Sequence, residues 1–176
     1  VGWTSLHFER SISYLPLGHI LSILIEAAVM TYGGRTSFWR GDVGGLVEDI
    51  AKAKPTIFVS VPRVLKRIYD RFQDTVASSS RLKQKLINSA MAAATYRYDN
   101  KLPRSRFWDK LVFRKLQGLL GGNLRVVVSG SAPLPAKIFR FLEIAFNVPV
   151  VEGYGLSETT GLVAVNKLYN TCPGSV

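Results

Sequence analysis

Short, continuous apolar runs alternate along this chain with longer stretches of helical period, and that alternation limits the architectures open to it. Residues 11–15, 35–39, 56–61, 124–129, 148–151 and 161–165 read as strands. Several of them are apolar without a polar alternate, the mark of strands buried on both faces, as in a parallel sheet covered by helices. Residues 17–31 read as a helix stopped by Gly33 and Gly34, and residues 43–53 as a helix capped by the Asp42 carboxylate. Pro62 opens another, with Val64, Leu65, Ile68 and Phe72 at helical spacing. In the helix read over residues 134–146, Ile138, Phe139, Leu142 and Phe146 share one side. Residues 80–120 carry two helical stretches and no strand signal, so they read as a helical insertion. The expected class is α/β, a mostly parallel sheet flanked by helices on both faces.

Composition narrows the class further. Of the 176 residues, 47% are hydrophobic and 20% charged, which suits a packed domain rather than a disordered chain. Cys172 is the single cysteine, so no internal disulfide forms, in keeping with a reducing, intracellular setting. The chain opens on Val1 and closes after Pro173-Gly174-Ser175, a turn that should lead onward, and it reads as an internal piece of a larger multi-subdomain protein. Residues 20–32 form its longest apolar run, too short for a membrane span of about 20 residues. The net charge of +11 gathers at Arg63, Lys66, Arg67 and Arg71, again at Arg81, Lys83 and Lys85, and at Arg104, Arg106, Lys110, Arg114 and Lys115. These cations alternate with apolar residues at helical spacing, as solvated outer helix faces do. The other reading is peripheral attraction to an anionic membrane. No aromatic stacking platform accompanies them, which argues against a nucleic-acid partner.

In a parallel α/β sheet, ligands bind beyond the carboxyl ends of the strands. Three of those ends are unusual. The first is Leu15-Pro16-Leu17-Gly18-His19, and the second is Ser129-Gly130-Ser131-Ala132-Pro133-Leu134. The third runs Glu152-Gly153-Tyr154-Gly155-Leu156-Ser157-Glu158-Thr159-Thr160-Gly161. There, glycines allow close backbone approach, the Tyr154 phenol offers a face to a planar base, and the Ser157 hydroxyl suits a phosphate oxygen. The Glu158 carboxylate repels phosphate unless a hard cation such as Mg²⁺ sits between them. Taken as residues alone, the segment reads equally well as a nucleotide site or as a glycine-rich turn with an exposed Glu158. A serine hydrolase is disfavoured because Ser131 lacks a G-x-S-x-G elbow and His19 has no obvious carboxylate partner. Two histidines and one cysteine make zinc chemistry a poor fit.

The three segments, in this order and spacing, resemble motifs of the adenylate-forming superfamily. Gly153 to Glu158 is similar to its Y-G-x-T-E core, with Ser157 in place of threonine. Ser129 to Leu134 is similar to its glycine-alanine-proline motif, and Leu15 to His19 to its L-P-x-x-H motif. Ser13-Tyr14-Leu15-Pro16-Leu17-Gly18-His19-Ile20, Phe38-Trp39-Arg40-Gly41-Asp42 and Lys54-Pro55-Thr56-Ile57-Phe58 resemble the long-chain acyl-CoA synthetase branch. Leu21-Ser22-Ile23 departs from the F-E-R that often follows there.

The resemblance implies a long-chain fatty acid–CoA ligase that uses ATP, Mg²⁺ and CoA, first forming acyl-AMP and then the thioester. It implies that Tyr154 stacks on adenine and that Gly130, Ser131 and Ala132 border adenine and acyl chain. Glu152, Gly153 and Gly155 would lie along the nucleotide, Ser157 would contact the α-phosphate, Glu158 would hold Mg²⁺, and His19 would sit near the reacting carboxylate. The family's P-loop, ribose-binding aspartate and C-terminal lysine are expected outside these residues, so the 176-residue piece alone is expected to be inactive. The expected setting is cytoplasmic, or peripheral on the endoplasmic reticulum or peroxisome. The alternatives are another adenylating ligase, for an aryl or amino acid, and a non-catalytic basic membrane-binding module.

Overall fold

A computed structural model describes residues 9–167 and 173–174; Cys172 and Ser175 lie outside them. The main sheet has four strands in the order β3 (Ile57–Ser60), β4 (Val126–Gly130), β5 (Val150–Leu156) and β6 (Gly161–Val165). The first three run parallel and β6 is antiparallel to β5. A parallel pair, β1 (Arg10–Ser13) and β2 (Arg35–Phe38), lies beside β3. The Thr56 amide donates to the Arg10 carbonyl at 2.9 Å, and the Arg10 amide donates to Thr56 Oγ1 at 2.8 Å.

Side chains alternate across a strand, so each face of the sheet can be read from the register. Phe58, Val127 and Val150 are cross-strand neighbours and fully buried. They join the core built by α3 (Pro62–Ala77) and α7 (Ala136–Phe146). In α3, Leu65, Ile68, Phe72 and Val76 recur at helical spacing and are buried. The Phe72 and Tyr69 rings each meet Phe141 of α7, with centroids 4.9 Å apart. Burying each such ring contributes roughly 1.5–3 kcal/mol. The other face bears Gly130, where an added Cβ would lie 3.2 Å from Leu21 of α1 (Ile20–Thr31). Helices therefore flank both faces, as the apolar strands predict.

Between β3 and β4 the chain forms helices joined by short loops and, among the described residues, no strand. It runs through α4 (Arg81–Asp99), α5 (Arg106–Trp108), a π-helical stretch (Asp109–Phe113) and α6 (Arg114–Gly118). Arg104 ties this region down. Its Nη2 reaches Asp109 at 2.6 Å, its Nη1 donates to the Ile144 carbonyl at 2.6 Å, and its guanidinium lies over the Phe113 ring.

Several boundaries differ from the sequence expectation. Helix α1 begins at Ile20 rather than at residue 17, because Pro16-Leu17-Gly18 forms a turn closed by the His19 amide on the Pro16 carbonyl at 2.9 Å. Helix α2 (Leu46–Ala53) starts after Gly44-Gly45, and Asp42 satisfies those two amides in the turn instead of capping the helix directly. The largest difference is at β5. Residues 152–156 read in the sequence as a loop; they continue the strand, because β6 folds back and supplies the pairing that the glycines alone do not favour. A register shift at Tyr154 and Gly155 marks where the ladder yields.

Candidate nucleotide and carboxylate site

The site grows from the carboxyl ends of β1, β4 and β5. Past β1, the Tyr14 hydroxyl donates to Ser60 Oγ at 2.8 Å, anchoring the strand end against β3. Burial holds that phenol well above its ordinary pKa, so it remains a donor. The chain then turns into α1. Glu26 accepts from Ser13 at 2.5 Å and from Ser22 at 3.1 Å, fixing the helix against the strand it follows.

His19 is the N-cap of α1. Its Nδ1 accepts the Leu21 amide at 3.2 Å, so Nδ1 carries no proton and the neutral ring bears it on Nε2. Nε2 lies 3.1 Å from Ser131 Oγ and is therefore the donor in that contact. Ser131 is the first residue beyond β4 and takes a left-handed φ of +75°, which aims its side chain off the sheet edge. Its hydroxyl proton remains available to a ligand oxygen. This geometry excludes Ser131 as a nucleophile activated by His19. Nε2 presents a proton rather than a lone pair, and a backbone amide, not a carboxylate, holds Nδ1.

Gly130 and Gly153 are register partners, so Ser131, just past the end of β4, stands level with Tyr154, which β5 carries on in its pairing with β6. Tyr154 is 53% exposed and makes no ring contact among the described residues. Beyond it, β5 and β6 are joined by a turn over residues 157–160. Thr159 Oγ1 pins that turn, accepting the Leu156 amide at 3.2 Å and donating to the Leu156 carbonyl at 3.0 Å. Ser157 and Glu158 are exposed on it. Gly161, at φ +108°, brings the turn against α1; an added Cβ there would meet Leu24 Cδ1 at 2.1 Å. The same helix that presents His19 thus also backs the turn bearing Glu158. Ala132 is exposed beside Ser131, whereas Gly130, Gly153 and Gly155 are half-buried or buried backbone positions along the strand ends.

Glu152 behaves differently from its neighbours. It points to the α7 face of the sheet and is 4% exposed. Its Oε1 accepts the Leu134 amide at 2.9 Å and its Oε2 the Gly174 amide at 2.8 Å. Asn166 completes the frame: its side-chain oxygen accepts the Glu152 amide at 2.9 Å, and its amide donates to the Glu152 carbonyl at 3.1 Å. The resemblance implies that Glu152 lies along the nucleotide, and nothing in the sequence singles out Asn166. A carboxylate inside an apolar strand was the signal that a buried, bonded acid stands there.

Among the described residues, no group of three or more histidines, cysteines or acids could hold a metal ion. Glu158 is a lone exposed carboxylate. That suits Mg²⁺, which commonly takes one or two protein carboxylates and completes its shell from substrate phosphates and water. A groove of about 730 Å³ lies elsewhere, lined by Tyr98, Arg104, Trp108, Asp109, Glu143 and Pro149, near the opposite end of β5.

A mostly parallel sheet with a histidine, a hydroxyl loop, an open aromatic face and an acid-bearing turn at its carboxyl edge makes this an α/β domain with a candidate nucleotide site at its strand ends. The chain belongs to the AMP-binding enzyme family, whose model matches residues 3–176. It is 42% identical over 154 residues to long chain acyl-CoA synthetase 5 of Arabidopsis thaliana, covering 84% of this chain and 23% of that protein. It is 39% identical over 154 residues to long-chain-fatty-acid–CoA ligase 5 of Mus musculus, covering 87% of this chain and 22% of that one. The chain thus spans under a quarter of these relatives. Its fold matches the adenylation domain of a carboxylate reductase from Mycobacterium chelonae, with a TM-score of 0.68, 24% identity, and coverage of 90% of this chain and 22% of that one.

Proposed function

We propose that this chain is the nucleotide- and carboxylate-binding centre of a long-chain fatty acid–CoA ligase. The full-length parent would activate the fatty acid with ATP, releasing pyrophosphate, and pass the acyl group from AMP to the CoA thiol. The observation that carries the reading is the His19–Ser131 contact at 3.1 Å, set level with the open face of Tyr154. Because His19 Nε2 donates to the Ser131 oxygen, the Ser131 hydroxyl proton is free for a ligand at the carboxyl edge of β4, level with Tyr154 on β5. A donor so held can orient a carboxylate oxygen for in-line attack at phosphorus without removing a proton from it. Tyr154 then stacks on adenine, and the nucleotide runs along the backbone of Gly153 and Gly155, glycines that the close approach of Leu162 and Gly161 on β6 also requires. Ser157 donates to an α-phosphate oxygen. Glu158 would hold Mg²⁺, which supplies charge neutralisation to the phosphates when bound.

The relatives' names favour fatty acids over aryl or amino acids as substrates. The test is pyrophosphate exchange by the purified parent with acids of graded chain length. Exchange that rises with long-chain acids supports the reading; exchange with only aryl or amino acids refutes it.

Peripheral association with an anionic membrane, on an organelle or facing the cytoplasm, belongs to the same proposal. Arg106, Lys110, Arg114 and Lys115 are exposed and make no ion pair among the described residues. Phe107, Leu111 and Leu119 are exposed beside them at 65%, 41% and 40%. Solvated cationic faces do not require those apolar neighbours, whereas a bilayer surface takes up both.

A further inference from the structure

We infer that Glu152 is a positioning residue, one that sets the Ser131–His19 contact without touching the nucleotide. The inference rests on the reading of the site given above. All four backbone and side-chain polar groups of Glu152 are occupied. The amide and carbonyl are held by Asn166, and the two carboxylate oxygens by Leu134 and Gly174. At 4% exposure the carboxylate has no path to a ligand at the sheet edge. It faces the α7 side, while Gly130 and Gly153 line the α1 side.

What the carboxylate does reach is the far end of the loop that carries Ser131. That loop leaves β4 at Gly130 and enters α7 at Ala136. It is held at two points: at Ser131 by His19 Nε2 and at Leu134 by Glu152 Oε1. Ala132 and Pro133 between them are exposed. Ser131 is a non-glycine residue in a left-handed conformation, which persists only where the surroundings enforce it. The bond to Leu134 is that enforcement from the α7 side. The second oxygen extends the hold to Gly174, so one side chain fastens two separate segments to β5.

Both oxygens meet N–H donors, so an acceptor-only group is required. Glutamine offers one acceptor and one donor, and its NH₂ would face an amide N–H. Glu152→Gln therefore loses one bond and keeps one, with little change in volume.

The test is a double-mutant cycle in the full-length parent with Glu152→Gln and Ser131→Ala, read as kcat/KM for ATP, together with hydrogen exchange over residues 131–135. Each single variant is expected to lose about tenfold or more. If Glu152 acts through Ser131, the double variant loses little more than the worse single one. The Ser131, Ala132 and Leu134 amides, the ones in this stretch that carry a proton, should exchange faster in Glu152→Gln while those of β4 and β5 do not. Multiplying losses, or unchanged exchange in that loop, overturns the inference. If Glu152→Gln fails to fold, Glu152→Asp, which keeps the charge but is too short to span both amides, is read by the same exchange measurement. The exchange readout needs no substrate. A parent without fatty-acid-dependent turnover would sink the functional reading, and loop exchange would still decide the role of Glu152.

Discussion

At the scale of single residues, His19 has two separable duties. One is to cap α1 through Nδ1; the other is to present Nε2–H to Ser131 and the site. Asparagine is a good cap but lacks the second nitrogen. In the parent, His19→Asn should hold unfolding free energy within about 0.5 kcal/mol of wild type and still lose activity, whereas His19→Ala should also lose about 1 kcal/mol. Denaturant melts beside turnover assays distinguish the two. Asp49 supplies a pH test. The Arg40 amide first, and then its guanidinium, hold that carboxyl below its ordinary value. A depressed folded value means the contribution is present above the unfolded value of about 4 and is lost as pH falls through the folded one. Asp49→Asn should therefore flatten the acid limb of a stability–pH profile and leave its slope at neutral pH unchanged. Residue identity told much of this in advance. His19, Ser131, Tyr154, Ser157 and Glu158 stand out in the sequence as polar or aromatic groups at strand ends. The cap, the tautomer and the Glu152 brace did not, because each depends on an amide brought near by folding.

At the scale of elements, strands and helices were legible wherever hydrophobic period and tertiary packing agree, as in β3, β4, α3 and α7. They are not legible where a partner overrides local preference. Gly153 and Gly155 read as a turn, but pairing with β6 keeps the strand going to Leu156. Gly155 also shows how close that pairing is: an added Cβ would lie 1.7 Å from the Gly161 carbonyl oxygen. Gly155→Ala should part the ends of β5 and β6, displacing the turn that bears Ser157 and Glu158. The expected result in the parent is activity reduced by at least a hundredfold, with the far-ultraviolet spectrum close to wild type. Phe139, fully buried in α7, marks the opposite case. Phe139→Ala should cost about 3–5 kcal/mol in unfolding free energy by leaving a cavity in the core, with loss of function following loss of fold.

At the scale of the whole molecule, the fold brings one edge of a parallel sheet, one helix start and one hairpin turn together, while a long helical excursion carries exposed cations elsewhere. The excursion predicts salt-sensitive binding to vesicles containing phosphatidylserine and weak binding to neutral ones. Replacing Phe107 and Leu111 by serine should reduce the bound fraction; equal binding by both proteins would remove that surface from the account. The central claim concerns the carboxyl edge of the sheet, which carries Ser131, Tyr154 and the turn bearing Glu158. It is tested most directly by Glu158→Gln in the full-length parent, with the two half-reactions measured separately and circular dichroism as a fold control. The amide keeps the size of the side chain and removes the charge that favours a cation. The account predicts that pyrophosphate exchange falls by about a hundredfold or more, whereas thioester formation from supplied acyl-AMP, which transfers no phosphoryl group, falls much less. Equal losses in both steps, or wild-type exchange, would contradict it.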